Sequence, residues 1–138
     1  MSFGRALLAD FQAYTPGEQL NRPGIIKLNT NELPYPPSPR VEEALRHFDL
    51  DALRRYPDPG ATALREAWAQ RFGYEGAAWS LAGNGMDEVL GLAVRALCDP
   101  GARTVATYPT YSMYETLCAL HGCPLDYVDL TEAFGMPE

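Results

Sequence analysis

The chain has 138 residues, 46% of them hydrophobic, which suits one ordinary globular domain and gives no sign of disorder. Its formal charge of -7, without any basic run, argues against nucleic acid or an anionic membrane as partner, because both reward clustered Lys and Arg. No apolar stretch approaches the roughly 20 residues of a membrane span, and residues 1–15 carry Arg5, Asp10 and Gln12 where a secretory leader needs an apolar centre, so a cytoplasmic location is expected.

The chain opens with Phe3, Leu7, Leu8 and Phe11 at near-helical spacing, then a polar link containing Thr15-Pro16-Gly17-Glu18, which together read as an arm. Ile25-Ile26-Lys27-Leu28 is a brief strand candidate. The proline-dense run from Pro34 to Pro39 excludes both helix and central strand. Ser38 before Pro39, with Glu42 and Glu43 in the first turn, predicts a helix start, and that helix should reach about His47. Tyr56-Pro57-Asp58-Pro59-Gly60 is a second break. From 61 to 72 the positions Leu64, Ala67, Trp68 and Phe72 form a helical stripe, closed by Gly73.

Residues 78–82 read as a strand feeding a glycine turn, Gly83-Asn84-Gly85, and a helix over 86–98 that buries Val89, Leu90, Ala93 and Leu97. A strand over 104–107, a helix over 111–120 and a strand over 125–130 complete the order. Alternation of strand and helix with short links predicts βαβ units and a parallel sheet, with ligands at the carboxyl ends of the strands. Cys98, Cys118 and Cys123 are odd in number and show no framework spacing, as reduced, buried thiols do; with His121 they match no standard zinc spacing.

The glycine turn is where chemistry is expected to gather. Glycine tolerates positive φ and close backbone approach, so the first amides of the following helix, at residues 85–87, can face a bound anion. A glycine that merely reverses the chain is the competing reading. A dinucleotide fingerprint is excluded, because Glu88 stands where a third glycine is needed and residues 105–110 offer no acid. A P-loop is excluded too, since Lys27 is the only lysine. An anion cradle beside Tyr108-Pro109-Thr110-Tyr111 suggests a flat, phosphorylated aromatic ligand.

Four segments, in order, carry a resemblance: Lys27-Leu28-Asn29-Thr30-Asn31-Glu32-Leu33-Pro34-Tyr35, Arg55-Tyr56-Pro57-Asp58-Pro59, Gly83-Asn84-Gly85-Met86-Asp87-Glu88 and Pro109-Thr110-Tyr111-Ser112-Met113-Tyr114. Together they resemble histidinol-phosphate aminotransferases, fold-type I enzymes that use pyridoxal 5'-phosphate (PLP). The resemblance implies an α/β fold with an arm and small-domain portion over 1–57 and the first part of the PLP-binding large domain over 58–138. It implies that Gly85, Met86 and Asp87 hold the cofactor phosphate and that Tyr111 stacks on its ring. Tyr56 would reach the cofactor phosphate of a neighbouring subunit, hence a homodimer, while Tyr14 and Asn31 would lie on the substrate side. The implied reaction passes an amino group from glutamate to imidazole-acetol phosphate. Leu33 and Pro36 depart from the family pattern. The lysine that carries the cofactor falls, by the same resemblance, beyond the 138 residues, so no catalytic residue is expected within them. The alternatives are another fold-type I enzyme, such as a threonine-phosphate decarboxylase or an aromatic aminotransferase, and a non-catalytic remnant.

Overall fold

A computed structural model describes residues 4–12, 17 and 22–137 of the chain. It divides into two compact units, one formed by Met1–Tyr14 with Leu64–Glu138 and the other by Thr15–Ala63.

Helix α2 (Thr62–Phe72), which belongs to the larger unit from Leu64 onward, buries Ala69 and pairs Trp68 with Phe72, ring centroids 4.4 Å apart. Gly73 follows with φ 74, a left-handed residue where the sequence placed the stop. Arg65 then reaches across, donating from Nε to Ser80 O at 2.8 Å and from Nη2 to Ala77 O at 2.6 Å, and so anchors the segment that leads into the glycine turn. Helix α3 (Met86–Leu97) and helix α4 (Met113–His121) flank strand β1 (Thr104–Tyr108), and strand β2 (Leu125–Asp129) follows. β1 and β2 are parallel, with Thr104 opposite Leu125 and Tyr108 opposite Asp129, so β1, α4 and β2 form the expected βαβ unit. Gly91 of α3 faces Leu117 of α4, and a Cβ there would make an ordinary contact with Leu117 Cδ2 at 3.4 Å. Tyr127 crosses Tyr108 edge-on at 5.7 Å and donates to Glu115 Oε2 at 3.3 Å, tying β2 to α4.

Two strand expectations fail. Residues 78–82 contain the end of a 3-10 turn (Ala77–Trp79) and an extended Ser80, but no ladder bonds form there. Residues 25–28 are likewise outside any strand. Extension is a local property that alternation and β-branching reveal, whereas a strand needs a partner's hydrogen bonds, and among the described residues only β1 and β2 pair. Helix α4 also starts later than 111, because the chain stays non-helical through Pro109, Thr110 and Tyr111 and turns only at Ser112. Within the segment read as an arm, Ala6–Leu8 form a 3-10 turn, and Arg5 Nη1 donates to Leu120 O at 3.1 Å.

In the smaller unit, helix α1 (Pro39–Arg46) begins as expected: Ser38 Oγ accepts from Arg40 N at 3.3 Å and proline opens the first turn. Arg46 pairs with Glu42 at 2.5 Å, one helical turn apart. A 3-10 turn (Leu50–Arg54) is capped by Asp49 and laced by Asp51, which binds Arg54 at 2.6 Å and Arg55 at 2.9 Å. Asp58 then accepts from Gly60 N at 3.0 Å and Thr62 N at 2.6 Å, closing the Pro-Asp-Pro-Gly break onto the start of α2. No described residue of this unit is buried.

Candidate functional site

The glycine turn is built by two glycines doing different things. Gly83 is needed for space: a Cβ there would lie 2.7 Å from Val89 Cγ2 and 3.0 Å from Glu88 Oε2. Gly85 is needed for conformation, with φ 93 at the N-cap of α3 and open space where a Cβ would stand. Because glycine has no side chain, α3 starts without a side-chain cap, and the first-turn amides of Met86 and Asp87 keep their partial positive charge facing outward. Backbone donors presented this way suit a phosphate.

Two carboxylates stand at the same helix end, and each is turned to its own donor. Asp87 Oδ1 accepts from Tyr111 Oη at 3.1 Å. Glu88 Oε2 accepts from the backbone N–H of Asn84. The loop after β1 is therefore joined to the start of α3: the structure brings Asp87 and Tyr111 together across 24 positions of sequence. The Tyr111 ring also meets Tyr114 edge-on at 6.2 Å. The sequence reading missed Glu88 and Arg65 as organisers of the turn. An acidic residue at the third helical position is a recognisable signal, since it often reaches back to amides ahead of the helix.

The other expected site residues belong to the smaller unit or lie outside the described residues. Tyr56 is fully exposed, at 101% of its reference area, directly after the Asp51–Arg54–Arg55 pairs. Asn31 occupies the left-handed region with φ 53, beside Thr30 at φ 63. It lines a hollow of about 620 Å³ with Lys27, Asn29 and Glu32. Lys27 Nζ binds Glu32 Oε1 at 2.5 Å, and the hydrogen bond from this ammonium holds the Glu32 carboxyl below its ordinary value. Tyr14 lies outside the described residues.

The cysteines cluster elsewhere. Cys118 and Cys123 are buried and Cys98 half-buried, all as free thiols. Burial, with the neighbouring thiols, pushes the Cys123 thiol above its ordinary value. His121 Nε2 stands 2.8 Å from Cys98 O, which accounts for its polar contact without any ligand.

The aminotransferase class I and II family model matches residues 23–136. A histidinol-phosphate aminotransferase of Rhodopirellula baltica is 41% identical over 134 residues, covering 97% of this chain and 37% of that protein. The same-named protein of Acetobacter pasteurianus is 45% identical over 130 residues, covering 94% of this chain and 36% of its own length. The chain thus spans well under half the length of these relatives. Among solved structures, a histidinol-phosphate aminotransferase from Sinorhizobium meliloti, crystallised in complex with pyridoxal-5'-phosphate, superposes with a TM-score of 0.63 at 31% identity, over 70% of this chain and 26% of that one.

Proposed function

The chain belongs to the aminotransferase class I and II family, and from that premise we propose that it supplies the cofactor-phosphate cradle of a histidinol-phosphate aminotransferase. Its α/β fold is that of the N-terminal part of a fold-type I aminotransferase. Residues 1–57 serve as arm and small-domain portion and residues 58–138 as the first part of the PLP-binding domain. The observation that carries this reading is the side-chain-free N-cap at Gly85, with Tyr111 held over the same helix end by Asp87.

The donors present fit PLP. The amides of Met86 and Asp87 would hold its phosphate, with Gly85 allowing close approach. Tyr111 would cover one face of the pyridine ring, its hydroxyl fixed by Asp87 so that the ring keeps one orientation. Bound PLP supplies the electron sink that amino transfer needs. Tyr56, exposed in its loop, would reach the phosphate held by a second copy of the protein, which makes the working form a homodimer. Tyr14 and Asn31 would face the substrate. The substrates are glutamate as amino donor and imidazole-acetol phosphate as acceptor, in a cytoplasmic biosynthetic enzyme; the naming and 41–45% identity of the relatives support this choice.

Lys27 does not carry the cofactor in this reading, because nothing in the sequence around it resembles the family's lysine motif; its ammonium pairs with Glu32 in the smaller unit. The 138 residues alone are therefore expected to give no amino transfer. The test is to incubate the purified chain with PLP, reduce with borohydride and search for pyridoxyl-lysine. Glutamate-dependent transfer to imidazole-acetol phosphate is assayed with and without the remaining segment of a relative. Turnover appearing only with that segment supports the reading. Stoichiometric labelling of Lys27, with turnover lost in Lys27→Ala, overturns it.

A further inference from the structure

We propose that Glu88 is a positioning residue for the phosphate cradle: its carboxylate locks the Asn84 amide and so holds the glycine turn in the shape that presents the Met86 and Asp87 amides. The inference rests on the cradle assigned above. Two contacts of one carboxylate oxygen carry it. Glu88 is the third residue of α3, and its Oε2 accepts from the N–H of Asn84, reaching four residues back. The same oxygen lies against Gly83, where a Cβ would come within 3.0 Å, so the solvent-facing carboxylate fills the place that a side chain at 83 would take.

The reach is what matters. A capping box returns a third-position acid to the N-cap amide. Here the carboxylate goes one residue further and takes the amide ahead of Gly85, leaving the N-cap and first-turn donors for an outside anion. The helix end also favours a carboxylate at this position. Glu88 thus acts in two opposed ways. Its acceptor orders the turn, while its negative charge, standing beside the cradle, opposes an incoming phosphate.

Three substitutions separate these effects. Glu88→Gln keeps an acceptor at the same reach and removes the charge. Glu88→Asp keeps the charge and shortens the reach by one methylene. Glu88→Ala removes both. Positioning requires that the Gln variant bind phosphate at least as tightly as the parent, and that the Asp and Ala variants bind about tenfold more weakly, the scale of one lost hydrogen bond. Hydrogen exchange of the 138-residue chain, read by mass spectrometry on peptides spanning 83–90, supplies the readout that does not depend on activity. Without ligand, exchange at the turn should accelerate in the Asp and Ala variants and stay at the parent rate in Gln. Inorganic phosphate and PLP are then added as probes, with affinity from equilibrium dialysis.

Exchange and affinity unchanged in Glu88→Asp and Glu88→Ala would overturn the positioning role. Tighter binding in Ala and Gln alike would show that charge alone governs, and would overturn it as well. A parent chain whose turn gains no protection from either probe would sink the cradle itself, whatever the ligand-free exchange rates show. Should Glu88→Ala unfold, the comparison of Gln with Asp decides alone.

Discussion

Single residues at the turn divide by the kind of freedom they supply. Gly85 has open space beside it, so its requirement is conformational: a β-branched side chain at φ 93 costs about 1–3 kcal/mol locally and would shift the first-turn amides. Gly85→Val is expected to abolish phosphate and PLP binding, measured by dialysis, and equal binding by the valine variant would refute the cradle. Toward the protein's own atoms, the steric role expected of both glycines belongs to Gly83, while at Gly85 the space is left open on the side a ligand would approach. The glycines were legible because they act within a few residues. The Tyr111–Asp87 bond was not, because nothing in a sequence announces which tyrosine a distant aspartate will meet. A second residue-scale effect concerns pH. Burial raises the Cys123 thiol above its ordinary 9.0, and burial with the Glu115 carboxylate beside it raises Tyr127 above 10.0. The unfolded chain therefore loses each proton first. Stability from Cys123 is complete below about pH 9 and is lost as pH rises through the folded value, with Tyr127 adding a further decline above about pH 10. Denaturant midpoints from pH 7 to 11 should fall in that order, and Cys123→Ala should remove the earlier part. A midpoint that holds steady to pH 11 contradicts this.

At the scale of elements, helices were readable throughout and strands only where a partner pairs with them: 104–107 and 125–130 form β1 and β2, whereas 25–28 and 78–82 form none. α1, α2 and α3 begin and end within a residue or two of their expected limits because caps, proline and glycine act locally: Ser38 with Pro39, Gly73 at φ 74, Gly85 at φ 93. Strands depend on a neighbour. β1 and β2 have each other, whereas the extended residues around Ser80 are held by Arg65 and carry no ladder. α1 illustrates how far local signals can carry an element. It buries no residue, so its cap and its Glu42–Arg46 pair matter more than in a helix docked on a core. Ser38→Ala is expected to cost about 1 kcal/mol and to show as faster amide exchange over 39–46. Unchanged exchange there would mean that docking, not capping, maintains α1.

Across the whole molecule the interior is small. Ala69, Met113, Cys118 and Cys123 are the buried hydrophobic residues among those described, all in the larger unit. Leu97 is 83% exposed and Leu81 62%, while Val89 and Leu90, expected to be covered by α3's packing, are only half-buried. Leu64, Trp68, Leu81, Met86 and Val89 line an open apolar trough of about 580 Å³ beside the glycine turn. Surface of this kind, next to a two-stranded sheet, drives association. Sedimentation of the purified chain should show self-association that grows with concentration. A monodisperse monomer with a cooperative thermal transition would instead mark an independently stable domain. The full exposure of Tyr56 has a chemical consequence of its own. A phenol ring open on every side is the best nucleophile for an electrophilic nitrating reagent, so tetranitromethane should mark Tyr56 ahead of Tyr111, which is 37% exposed. If that ring closes onto a second subunit's cofactor, assembly will shield it, and the nitrated peptide will fade from digests of the paired enzyme while persisting in digests of the free chain.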